Sequence, residues 1–115
     1  MTEEQIELVM PRIIDIDRGV LYVSKLKDVA HGVVHTYGKM VAGQILEIFV
    51  ETSYDNFWSV QIVLVDPVET SITFLVPKDI FEKNFVPNNR AYSYYIVKDA
   101  GIEKKSEKLE FQVKE

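Results

Sequence analysis

Apolar and polar residues alternate along much of this chain, and elsewhere apolar residues run without interruption between turn signals. Both patterns are typical of β-strands, and few segments show the period of a helix. The clearest pair of strands spans residues 44–52 and 57–65, on either side of the turn-prone segment Ser53–Asn56. This arrangement predicts an antiparallel hairpin closed by a short loop.

The second arm of this hairpin has two distinct faces, because successive side chains of a strand point to opposite sides. Trp58, Val60, Ile62 and Leu64 share one face, and all four are apolar. We expect this face to line the core, with Trp58 packed between two sheets. Phe57 and the alternate residues after it fall on the other face.

The rest of the chain predicts short strands separated by turns. The pattern breaks at Asp28–Gly32 and again at Gly38–Gly43. Pro77–Lys83 is the best candidate for a helix, of one or two turns, because proline suits a first helical turn and an acidic residue follows it. The other predicted strands are residues 12–16, 20–23, 33–37, 71–76, 91–98 and 109–113.

We therefore expect an all-β fold: an antiparallel β-sandwich of roughly seven to nine short strands with one short helical turn. No long helix is available to cross over a parallel sheet. A closed barrel is the alternative architecture, because alternation alone does not separate the two.

Composition narrows the functional classes. The chain has 115 residues, which suits one domain, and its 47% hydrophobic and 27% charged residues are those of an ordinary globular protein with no membrane insertion. Its formal net charge is −5, so nucleic-acid binding is not expected. The charged run Glu103–Lys108 mixes both signs and is interpreted as a solvated turn and strand edge.

The chain has no cysteine, which excludes disulfides and thiolate chemistry. Its first residues, Met1–Gln5, are acidic and polar where a secretory signal would be basic and then apolar. As given, the chain is expected in the cytoplasm, unless it is exported without a signal or cut from a larger protein.

Several stretches resemble a known family. Tyr37–Phe49 resembles the tyrosine, methionine, glycine and hydrophobic-strand signature of immunoglobulin-like repeats in large bacterial surface and adhesin-like proteins. Phe74–Ile80 resembles their strand that ends in a proline-led helical turn, and Tyr94–Val97 with Ser106–Val113 resembles their closing hairpin. The resemblance implies a single immunoglobulin-like sandwich domain over residues 1–115, a structural and interaction module without enzymatic activity.

No catalytic constellation is recognisable in the sequence. His31 and His35 could act as imidazole bases, but neither lies near a glycine-framed serine. On one strand the two would stand about 13 Å apart at roughly 3.3 Å per residue, too far to share a metal. We therefore predict no catalytic residue and no metal site.

Calcium and nucleotide cofactors are not predicted either. Four aspartates that could be considered as calcium ligands lack the spacing of a cation loop and are interpreted as turn residues. They are Asp15, Asp17, Asp55 and Asp66. The five glycines are scattered and form no phosphate-binding loop, so no cofactor is expected.

The candidate binding residues are aromatic and polar side chains near a loop tip. Tyr54, Asp55, Asn56 and Phe57 lie where a rigid scaffold commonly carries recognition residues. Their rings and polar groups could stack on a sugar or anchor a protein, although Tyr54 and Phe57 could instead cap the core. Tyr95 is added as an exposed contact residue.

The assignment of Tyr95 follows from the expected faces of the tyrosine-rich strand. Tyr92, Tyr94 and Ile96 share one face, which we expect to contribute at least one tyrosine to the core, with its hydroxyl bonded to the backbone. Tyr95 would then point outward.

The leading hypothesis is a non-catalytic binding or interaction module whose ligand is a protein or a glycan. The alternative is a structural spacer or self-associating domain, including a homodimer formed through an edge strand. An enzyme is the third and weakest hypothesis, since it rests only on the presence of carboxylates and two histidines.

Overall fold

A computed structural model describes residues 8–35, 40–53, 56–65, 71–83 and 89–115. Within these ranges the fold is ten strands, one helical turn and one 3-10 turn. The strands are β1 (Arg12–Ile13), β2 (Ile16–Asp17), β3 (Val20–Tyr22), β4 (Val29–His35), β5 (Ile45–Thr52), β6 (Phe57–Val63), β7 (Ser71–Pro77), β8 (Asn89–Asp99), β9 (Ile102–Lys105) and β10 (Leu109–Lys114). Helix α1 spans Asp79–Glu82, and the 3-10 turn spans Val23–Lys25.

The strands form two sheets. The smaller sheet has the order β1-β4-β7, and the larger has the order β2-β3-β10-β8-β5-β6, with β9 also paired to β8. Each described pairing is antiparallel except β3 with β10, which is parallel. Two antiparallel-rich sheets of this kind make a β-sandwich. The predicted all-β sandwich is confirmed.

The predicted hairpin is confirmed as β5 and β6, which pair from Ile45 with Val63 to Glu51 with Phe57. The central strand β5 buries its alternate residues completely, whereas the inner face of β6 is half-buried. Trp58 packs against the core as expected, and its ring stacks on Phe74 of β7 with centroids 6.3 Å apart. The two sheets are therefore held together at this edge by a pair of aromatic rings.

One predicted break is wrong. Strand β4 begins at Val29, inside the predicted break Asp28–Gly32, and Gly32 pairs directly with Phe74 of β7. An ideally placed Cβ on Gly32 would overlap three ring carbons of Phe74. The glycine therefore makes room for a neighbouring ring inside a strand and does not mark a turn.

The strand count exceeds the predicted seven to nine because two segments contain more strands than the pattern showed. Residues 12–17 divide into β1 and β2, which belong to different sheets. The charged segment after Gly101 contains the exposed edge strand β9. The turn before it has positive φ at Ala100 and Gly101, which is typical of a two-residue hairpin loop.

The predicted helical turn after Pro77 is confirmed as α1, four residues long. Among the residues described here, no helix is long and apolar enough to span a bilayer.

Candidate functional site

The outer face of the larger sheet, turned away from the smaller sheet, carries three aromatic rings in a row across three strands. Phe49 of β5 lies opposite Tyr94 of β8, and the two rings stack with centroids 4.9 Å apart. Phe57 of β6 lies on the other side of Phe49, with centroids 5.9 Å apart. Phe57, Phe49 and Tyr94 are called the aromatic row below. Its members are neighbours because cross-strand and diagonal residues of a sheet lie within reach of aromatic side chains.

The end of the aromatic row at Tyr94 is enclosed by neighbouring side chains. Tyr94 donates a hydrogen bond from its hydroxyl to Oε1 of Glu51 at 2.9 Å, and the ammonium groups of Lys105 and Lys108 lie 4.4 and 5.3 Å from its ring centroid. Its side chain is therefore only 9% exposed although it points away from the core. Burial raises the pKa of Tyr94 to about 12, and the hydrogen bond to Glu51 and the charges of Glu51 and Glu47 act in the same direction.

The outer end of the row is open. Phe57 is 55% exposed at the edge of the sheet. A cavity of about 180 Å³ lies beside it, lined by Glu51, Thr52, Asn56 and Phe57. The row thus ends in an exposed ring next to a carboxylate.

Charged pairs surround the aromatic row. Lys98 Nζ lies 3.0 Å from Oε1 of Glu47, and this hydrogen bond raises the pKa of the Lys98 ammonium. Arg90 Nη1 lies 2.9 Å from Oε1 of Glu110. The face therefore has an aromatic centre and a polar rim.

The four loop residues predicted as a binding site separate into three groups. Tyr54 and Asp55 lie outside the described residues. Phe57 is exposed, as a contact residue must be.

Asn56 is 6% exposed, and its side-chain amide donates hydrogen bonds to the carbonyls of Ile80 and Lys83. Asn56 therefore fastens the α1 segment to the hairpin, which is a structural role that the sequence did not indicate.

The prediction that Tyr95 is exposed is wrong. Tyr95 is 1% exposed, and its hydroxyl donates a hydrogen bond to the carbonyl of Val9 at 2.7 Å. The faces of β8 are the reverse of those predicted, because Ala91, Ser93, Tyr95 and Val97 point into the core. The expected buried tyrosine with a backbone-bonded hydroxyl exists, but it is Tyr95.

Sequence reasoning missed Phe49 and Tyr94. A signal for Phe49 was present, since Glu47 and Glu51 flank it at two-residue spacing and charged residues mark the solvent side of a strand. No comparable signal marks Tyr94, because its partner is set by the pairing of β5 with a strand more than forty residues away.

The histidines of β4 are not part of this face. The ring Nδ1 of His31 lies 3.2 Å from Oδ2 of Asp15, and the same carboxylate oxygen accepts a hydrogen bond from the His31 amide at 2.6 Å. Asp15 thereby links the turn between β1 and β2 to β4. Over the described ranges, no group of three or more metal-ligating side chains comes together.

No protein-family model, no curated protein and no solved structure matches this chain.

Proposed function

We propose that this protein is a non-catalytic interaction module that binds a protein or a glycan on the outer face of its larger sheet. The observation that carries the proposal is the position of Phe57, 55% exposed at the open end of the aromatic row. An exposed ring supported by further rings is pre-organised for contact, since little side-chain freedom is lost on binding.

The composition of the face favours a protein ligand. Protein interfaces are enriched in aromatic residues at their centre and have a polar rim. The aromatic row supplies such a centre, and the Lys98–Glu47 and Arg90–Glu110 pairs lie around it.

The cavity beside Phe57 favours a glycan as the second candidate ligand. A sugar ring could stack on Phe57, and the Glu51 carboxylate in the same cavity could accept hydrogen bonds from sugar hydroxyls. Since Glu51 already accepts a hydrogen bond from Tyr94, its carboxylate is held in place.

The test compares two variants with matched exposure. Phe57→Ala removes the open end of the aromatic row, whereas Leu75→Ala removes an equally exposed residue, also 55%, from β7 of the smaller sheet. Both proteins would be used as bait in extracts of the native host and on a glycan array. We expect Phe57→Ala to lose at least about tenfold in affinity for any captured protein or glycan, and Leu75→Ala to retain wild-type affinity. Equal binding by both variants would refute the assignment of this face.

The resemblance to immunoglobulin-like repeats of large bacterial surface and adhesin-like proteins supports the same proposal. Such repeats are interaction and structural modules, and this chain is likewise a sandwich of two sheets. The alternative within that class is a spacer or self-associating role. An exposed edge strand of the larger sheet would supply the contact for self-association.

A further inference from the structure

Strand β6 is an unprotected sheet edge. It pairs with β5 and with no other strand in the part of the chain that the structure describes. Natural edge strands are commonly very short, charged or interrupted by proline. The seven residues of β6, Phe57–Val63, include no charged residue, no proline and no glycine.

The other described edges carry such protection. Strands β1 and β2 are two residues long, and β9 carries Glu103, Lys104 and Lys105. Strand β7 is uncharged but ends at Pro77, which has no backbone N–H to donate. β6 is therefore the best template for a further strand.

The hydrogen bonds at the two ends of the β5–β6 hairpin show which groups of β6 face outward. Leu64 donates its N–H to the carbonyl of Gln44 at 2.9 Å, and Thr52 donates its N–H to the carbonyl of Asn56 at 2.9 Å. Hydrogen-bonded pairs alternate along an antiparallel ladder, so the even-numbered residues of β6 bond to β5. The backbone groups of Phe57, Ser59, Gln61 and Val63 consequently point away from β5, towards the edge.

We propose that two copies of this chain pair through β6, antiparallel, with Val60 on the two-fold axis. In this register Phe57 and Ser59 make hydrogen-bonded pairs with Val63 and Gln61 of the second copy, and the reverse. All the outward N–H and C=O groups of β6 are then used.

The side chains of β6 match in this register. On the outer face, Phe57 lies opposite Val63 and Ser59 lies opposite Gln61. Each apolar side chain therefore contacts an apolar one, and each polar side chain contacts a polar one. On the inner face, Trp58 lies opposite Ile62, and Val60 lies opposite Val60 of the second copy. These contacts further bury side chains that are half-buried in the monomer. Moving the strands by one step to the next hydrogen-bonding register, in either direction, places an apolar residue opposite Ser59 or Gln61.

Charge and area set the strength of the pairing. Since β6 has no charged residue, no like charges meet across the axis despite the net charge of −5. Seven paired residues per copy bury less than the roughly 1,000 Å² that a stable interface needs, so the dimer should be weak and concentration-dependent.

A two-fold axis normal to the sheet keeps both aromatic rows on the same side, with Phe49 and Tyr94 still outward. The pairing does not require the proposed ligand, but it covers part of Phe57, so a ligand bound to Phe57 would compete with it.

The experiment measures mass and fluorescence against concentration. Sedimentation equilibrium from about 1 µM to about 1 mM should show a monomer–dimer equilibrium. Trp58 is the one tryptophan of the chain, so its emission should shift to shorter wavelength along the same curve. A protein that stays monomeric throughout overturns the proposal. The edge of β6 would then be available only to a strand from a different protein or peptide.

Charge-swap variants test the register. Ser59→Lys with Gln61→Lys sets lysines opposite each other twice in the dimer, and Ser59→Glu with Gln61→Glu does the same with carboxylates. Each variant alone should dimerise about tenfold more weakly, and an equimolar mixture should recover dimer.

Thr73→Lys on the exposed face of β7 is the matched control and should dimerise like the wild type. Circular dichroism verifies that each variant is folded. Dimerisation unaffected by the β6 variants, or lost in the control, would place the contact elsewhere and refute the proposal.

Discussion

The ring of Phe74 lies in the space that a side chain on Gly32 would need, and the two residues are directly paired across β4 and β7. The same ring stacks on Trp58 of the other sheet. Gly32 therefore allows Phe74 to bridge the two sheets at the half-buried inner face of β6. A glycine that looks like a strand break in the sequence is needed for the packing of the core.

Substituting Gly32 should destabilise the fold. In Gly32→Ala the new methyl group would overlap the Phe74 ring, so the ring must shift from its position against Trp58. Overpacking of this kind costs about 1–3 kcal/mol of unfolding free energy. Urea unfolding should show that loss, and Phe74→Leu in the same chain should recover part of it. An alanine variant as stable as the wild type would contradict this account.

Asn56 should be sensitive to the replacement of its amide by a carboxylate. Its Nδ2 donates to the carbonyls of Ile80 and Lys83, and a carboxylate would face both with no proton to donate. Asn56→Asp should therefore cost about 3 kcal/mol at neutral pH, more than Asn56→Ala.

The pH dependence of this variant provides its control. Burial beside two carbonyls should hold the pKa of the introduced carboxyl above its usual range, so the stability loss should shrink as the pH falls towards 4 and the group is protonated. Thermal unfolding of the aspartate and alanine variants at several pH values would measure this. Equal losses for both at every pH would show that the two hydrogen bonds contribute little.

Tyr95 links β8 to the segment before β1 through its hydroxyl. Tyr95→Phe removes the bond to the Val9 carbonyl while keeping the buried ring. Val9 is exposed, so water can replace the lost donor, and the expected loss of unfolding free energy is about 1 kcal/mol. Hydrogen exchange should also accelerate around Val9. Tyr94→Phe, on the opposite face, should leave exchange at Val9 unchanged.

Tyr94 should make stability depend on alkaline pH. Its pKa is raised from 10.0 to about 12 in the folded protein, mainly by burial, so the native state holds this proton more tightly than the unfolded chain. The resulting stabilisation is present in full below pH 10 and is lost as the pH rises through about 12. Urea unfolding should show a steeper fall above pH 10 for the wild type than for Tyr94→Phe. Parallel curves would mean that the hydroxyl titrates alike in both states.

The local sequence pattern determined most of the strands, the hairpin of β5 and β6 and the inward face of Trp58, because alternation along one strand needs no knowledge of its neighbours. It also located the exposed ring of Phe57. It failed where apolar residues occupy both faces, as around Tyr94 and Tyr95, since either face could then be the inner one.

Tertiary structure decided what lies opposite each residue. The contacts of Gly32 with Phe74, of Asn56 with the α1 segment and of Phe49 with Tyr94 join positions far apart in sequence. Each depends on strand register and on how the two sheets stack, and a shift of one residue would turn every side chain of a strand to the other face. Alternation therefore specifies which residues can form a sheet, and only the assembled sandwich specifies which of them meet.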